Sequence, residues 1–245
     1  MTFALARPHG LLMLAVLLAL SPESCPRKSP WLAKDWSEWS RAECREMLLE
    51  SPWSDFHYRE TTVQWGAQNE SASVFDSVIN VQWRTAIPIR QAHVRLKKIE
   101  TSYQQMTAEQ RGTFDMEAER ELASNVADKI VLRIAYLKPR YESTDQQGDL
   151  RVPYDVALLL ANGGILFPVE VVHLPNQFEL TDWGRIRRIE MDVTFPRAFN
   201  GQQVIRPGDK SVTVLLGWRY GVSFRPTRQF EFKVADMIYN GKLEY

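Results

Sequence analysis

Four histidines (His9, His57, His93, His173) and two cysteines (Cys25, Cys44) are the residues from which a metal site or a nucleophilic pair could be assembled. No two of the histidines stand at metal-ligand spacing, and the H-E-x-x-H arrangement is absent. His93 falls beside the apolar face of a helix, which favours a packing or surface role. A Cys–His nucleophile needs an exposed thiolate, and Cys44 occupies a position where a helix packs, so its thiol should be inert. The nucleophile elbow G-x-S-x-G, the P-loop and the G-x-G-x-x-G turn are also missing. Paired carboxylates leave no comparable mark in a sequence. Two carboxyls on facing strands could act as acid and base, or acid and nucleophile, on a glycosidic bond. Asp155, Glu170, Glu179 and Asp182 are candidates for that chemistry, against the commoner role of surface acids. The pattern implies no metal and no cofactor.

The second resource is aromatic. Eight tryptophans can fill a core or present stacking platforms for sugar rings. Trp83 and Trp218 have the inward parity of their strands and read as core. Trp31, Trp65 and Trp183 fall in loops or at strand ends and are the candidate binding residues of an exposed contact patch.

These side chains must be positioned by elements that the hydrophobic pattern outlines. Ser40-Arg41-Ala42-Glu43 predicts a capping box. Trp39 and Cys44 then form a hydrophobic staple across it, and Pro52 ends the short helix at or before Ser51. So short a helix must dock, with Trp36, Trp39, Leu48 and Trp53 as anchors. Tyr58 to Trp65 has strand character. In Ser77 to Ala86, Ile79, Val81 and Trp83 alternate with Asn80, Gln82 and Arg84, as in a strand with one face in water. Pro88 opens a helix bearing Ile89, Ala92 and Leu96 on one face. A second helix follows from a Thr107–Gln110 cap to about Ser124, with Phe114, Ala118 and Leu122 inward.

Strands dominate from Lys129 onward. Val152 to Ala161 and Ile165 to Leu174 flank Asn162-Gly163-Gly164, a hairpin pattern, with a helix over Val152 to Ala161 as the alternative. Tyr141 to Asp149 reads as a polar loop. Ile189, Met191, Val193 and Phe195 alternate with polar residues, Val212, Val214 and Leu216 form another inward row, and Asn240-Gly241 predicts a type I′ turn. The expected fold class is α+β: an antiparallel β-sandwich core, a short N-terminal helix, and two helices inserted between early strands.

The first residues differ from the rest. Arg7 precedes the unbroken apolar run Leu11 to Leu20, too short to span a bilayer but the length of a signal h-region. The expected organisation is a signal segment over 1–24, a spacer over 25–34, and one β-rich domain over 35–245. Pro22 disfavours cleavage after Ser21. Three fates stay open: cleaved and soluble, lipidated at Cys25, or held as a tether. A Cys25–Cys44 bridge is available if Cys25 survives processing, although Cys44 reads better as a buried apolar residue.

Trp36-x2-Trp39-x4-Cys44-x3-Leu48-x2-Ser51-Pro52-Trp53, together with Thr85 to Ala92 (TAIPIRQA) and Met237 to Tyr245 (MIYNGKLEY), resembles an uncharacterised family of exported bacterial proteins of acidobacterial type. Thr85 stands where that pattern favours Ser. The resemblance implies export and carries no activity or site residue.

The formal net charge is zero, which excludes the basic excess of a dedicated nucleic-acid binder. A hydrophobic share of 44% supports a real core. The expectation is an exported protein, periplasmic, membrane-anchored or extracellular, that binds a protein or polysaccharide of the cell envelope without catalysis. Contact with a membrane would come only through the N-terminal segment or a lipid on Cys25. The alternatives are carbohydrate binding through exposed Trp and a hydrolase with paired carboxylates.

Overall fold

The computed structural model describes residues 34–65, 70–123, 126, 128–139, 154–181 and 184–245. The signal segment, Cys25, Trp31, the loop Tyr141 to Asp149, Asp182 and Trp183 lie outside the described residues. Helix α1 runs over Arg41–Leu49. The Ser40 N–H donates to Glu43 Oε2 at 2.7 Å, and the Glu43 N–H returns to Ser40 Oγ at 3.3 Å, so the expected capping box is formed. Trp39 and Cys44 are both buried, as a staple requires. Past the last turn, Ser51 Oγ donates to the Met47 carbonyl at 2.8 Å. This satisfies one of the orphan carbonyls of the helix end.

Strands β1 (Ser54–Trp65) and β2 (Glu70–Trp83) form a long antiparallel hairpin. Helices α2 (Ile87–Glu100) and α3 (Ala108–Ala123) come next, then β3 (Lys129–Pro139), which returns to pair with β2. The expected insertion of two helices between early strands is therefore present. Strands β4 (Asp155–Leu159), β5 (Ile165–Leu166), β6 (Glu170–His173), β7 (Gln177–Thr181) and β8 (Gly184–Pro196) follow. The short pair β9 (Ala198–Phe199) and β10 (Gln202–Gln203) leads to β11 (Ser211–Tyr220) and β12 (Ser223–Lys233). The chain closes on the hairpin of β13 (Ile238–Tyr239) and β14 (Lys242–Leu243). Its turn residues Asn240 and Gly241 have φ of 49° and 75°, the positive values that a type I′ turn demands.

Among the described residues, one antiparallel sheet has the order β1-β2-β3-β8-β6, with β7 also on β8, and a second has the order β12-β11-β4-β5. The sheets meet through their inward rows. Trp83 contacts Phe232 edge to face, with centroids 5.5 Å apart, and His57 stacks on Phe230 at 4.0 Å. Ile79, Val81, Leu132, Ile134, Met191, Val193, Val214 and Leu216 complete this buried layer.

Two expectations need correction. The face of β2 bearing Asn80 and Gln82 is not in water, since each residue is only 4% exposed. The helices cover it, and its amides find partners there. Gln82 Nε2 donates to the Leu48 carbonyl at the end of α1 at 2.7 Å, and Asn80 Nδ2 donates to Ser54 Oγ at 3.1 Å. Polar residues on that face satisfy buried backbone rather than solvent. The second correction concerns the hairpin around Asn162-Gly163-Gly164. Its first arm is strand β4, which excludes the helical alternative, but its second arm holds to β4 for only two residues, Ile165 and Leu166. The chain then crosses at Phe167-Pro168-Val169 and joins the other sheet as β6, beside β8.

Candidate binding cleft

That crossing borders an aromatic cleft between the two sheets. Trp218 has the same parity on β11 as Val212, Val214 and Leu216, yet it is 43% exposed where those three are buried. The reason lies in the register. The pairing of β11 with β4 ends at Gly217–Asp155, so Trp218 stands one residue past its neighbour strand, at the open mouth of the interlayer space. Trp218 is therefore not core, as its inward parity implied, but rim.

Tyr154, just ahead of β4, packs against it. The Tyr154 and Trp218 rings are 5.7 Å apart and inclined by 46°, and Tyr136 of β3 meets Tyr154 edge to face at 6.5 Å. The opposite wall is Phe167 of the crossing segment, held edge to face by Phe224 of β12 at 5.8 Å. Met191 of β8 also lines the cleft, whose volume is about 550 Å³. Strands from both sheets supply its walls, so the aromatic rings sit on rigid elements.

Polar groups ring this aromatic floor. Asp155 accepts the Arg219 backbone N–H at 2.8 Å. The Arg219 guanidinium lies 4.9 Å from the centre of the Phe167 ring, and its Nε donates to the Gly221 carbonyl at 3.3 Å. β6 borders the same cleft from the other sheet, where His173, paired with Met191, has the parity of the cleft face and Glu170, paired with Thr194, has the opposite one. Of the four carboxylates singled out from sequence, Asp155 and Glu170 both border the cleft, on different sheets. Asp182 lies outside the described residues, and Glu179 is described only in its backbone.

The contact patch expected of three tryptophans falls outside the described side chains. Trp31 and Trp183 lie outside the described residues, and Trp65, described only in its backbone, closes β1 opposite Glu70. Trp218, whose parity reads as core, is the exposed tryptophan instead. The signal that could have found it is its position three residues before Gly221, where the strand runs into a turn.

A second cleft, of about 560 Å³, opens between α2, α3 and the outer face of the larger sheet. Beneath it lies a charge-balanced network. Arg84 reaches Glu121 at 2.7 Å, Arg133 grips Asp192 with two hydrogen bonds of 2.8 and 2.7 Å, and Arg188 reaches Glu190 at 2.8 Å. His93 lies against it with Nε2 3.2 Å from Gln82 Oε1. Burial, then the charges of Arg84, Arg133 and Arg188, hold its imidazole well below the ordinary histidine range. His93 is therefore a neutral packing residue. Cys44 is a buried thiol pushed up to about 11, chiefly by burial.

Among the described residues, no group of His, Cys, Asp or Glu is placed to hold a metal ion, and no helix is long and apolar enough to cross a membrane. No protein-family model, curated protein or solved structure matches this chain.

Proposed function

We propose that this chain is an exported binding protein of the cell envelope that acts without catalysis and holds its partner in the cleft of Trp218 and Tyr154. The observation that carries this reading is a large aromatic side chain, 43% exposed, held at a concave rim by strands of both sheets. Exposed Trp and Tyr on rigid supports supply contact area at low entropic cost, which is how binding sites are anchored. The carboxylates of the cleft favour binding over hydrolysis. Asp155 and Glu170 are both exposed. A general acid for glycoside cleavage needs a desolvating, apolar setting that neither has.

The test is co-sedimentation of the full chain with an isolated bacterial envelope fraction. The protein should pellet with the envelope, and Trp218→Ala should release it at least about tenfold, the scale of losing one aromatic anchor. Equal pelleting of both would overturn the reading. Export is tested separately by mass spectrometry of the cell-associated protein. A cytosolic chain with an intact Met1 would remove that part of the proposal.

A further inference from the structure

Resting on that reading, we infer that the cleft takes a neutral carbohydrate chain. The argument is one of chemical complementarity. A sugar ring presents a face of C–H groups and a rim of hydroxyls. The C–H face requires an exposed aromatic plane, which Trp218 provides beside the inclined ring of Tyr154. The hydroxyls are donors and acceptors at once, so they require both kinds of partner along the same wall. Asp155 accepts, while Arg219 and His173 have N–H groups to donate.

Other ligand classes fit less well. A wholly apolar ligand would strip water from three polar side chains and offer them nothing in return, a cost that grows with each unpaired group. A polyanion would meet the Asp155 carboxylate beside the one guanidinium. A cationic ligand would meet Arg219, whose guanidinium already occupies the face of Phe167. A peptide adding a strand at the edges that border this cleft would find only two residues in β5 and four in β6. A neutral polyhydroxylated chain is the class that uses every group present. The cleft is open at its rim, where Val169 is 70% exposed, so a chain can continue past it in either direction.

The experiment titrates the full chain with cellohexaose, maltohexaose, xylohexaose and chitohexaose. Polygalacturonate and a proline-rich peptide serve as the acidic and peptide arms. Tryptophan fluorescence and calorimetry are the readouts. At least one neutral oligosaccharide should bind and shift the emission. Trp218→Ala should weaken that binding about tenfold or more, Trp218→Phe should retain part of it, and His173→Ala should weaken it severalfold. Unchanged urea midpoints in the variants establish that the fold is intact. A flat response to all four neutral oligosaccharides, or tighter binding of polygalacturonate or the peptide, overturns the carbohydrate assignment. If envelope binding remains Trp218-dependent in that case, the binding reading survives without it. If envelope binding is also indifferent to Trp218, both fall.

Discussion

Gly217 and Arg225 approach so closely across the β11–β12 pair that a Cβ on Gly217 would run into the Arg225 carbonyl oxygen. The register between these strands slips at the same place, from Leu216–Arg228 to Gly217–Pro226. The obstacle is backbone, so no side-chain rotation relieves it. Gly217→Ala should destabilise the protein by about 1–3 kcal/mol or more, the range for overpacking a filled interior. It should also shift the emission of the adjacent Trp218. A urea midpoint equal to wild type would refute the claim that this strand crossing is closed to a side chain.

The extent to which this site could be read from sequence depends on what periodicity encodes. Alternation along Val212, Val214, Leu216 and Trp218 correctly places all four on one face of β11. It does not say how far the neighbouring strand extends, and Trp218 lies just past the end of β4. The same limit hides the covered face of β2, because Asn80 and Gln82 look solvent-facing until the carbonyl of Leu48 is brought over them. Local chemistry was more informative. The Ser40–Glu43 cap and the Asn240-Gly241 turn are each set within four residues, and both occur as their residue types require. The departure of the chain to a second sheet at Phe167-Pro168-Val169 depends on distant pairing with β8, which no local pattern contains.

The Ser40–Glu43 box should carry an acid-dependent share of stability. The Lys34 ammonium, then the Ser40 N–H and hydroxyl, lower the Glu43 carboxyl from 4.5 to about 2. A depressed carboxylate stabilises the fold fully above its unfolded value and ceases to do so as pH falls through the folded one. This contribution should therefore fade between about pH 4.5 and 2. Ser40→Ala should cost about 1 kcal/mol at neutral pH, the usual worth of an N-cap. It should also reduce the loss over that acid window. Denaturant titrations at pH 7, 4 and 3 measure both, and a variant with the wild-type midpoint at pH 7 would contradict the cap.

Cys44 tests whether α1 stays docked. Its thiol is pushed up to about 11 by burial, which outweighs the opposing charge of Arg95, with Glu43 and Glu100 adding to the rise. The reactive species is the thiolate. A disulfide reagent at pH 8 should label Cys44 slowly in the native protein and rapidly in urea. Mass spectrometry of the Cys44 peptide follows the reaction. Fast native labelling would mean that α1 opens readily from the sheet.

His93 makes the sharpest pH prediction. Gln82 of β2 faces it, and the charges of Arg84, Arg133 of β3 and Arg188 of β8 all oppose its protonation. Glu121 of α3, Asp192 and Glu190 neutralise those arginines. Its folded pKa therefore lies below the unfolded value of 6.5. Between those two values the unfolded chain binds the extra proton, so stability rises with pH there. The protein should hold its full His93 contribution above about pH 6.5 and lose it progressively as the solution becomes more acidic. His93→Gln keeps a side chain that hydrogen-bonds but cannot charge. It should flatten the change in urea midpoint between pH 7.5 and 5, while lowering the midpoint at pH 7.5 only modestly. An undiminished slope in His93→Gln would show that the imidazole is not the group that titrates.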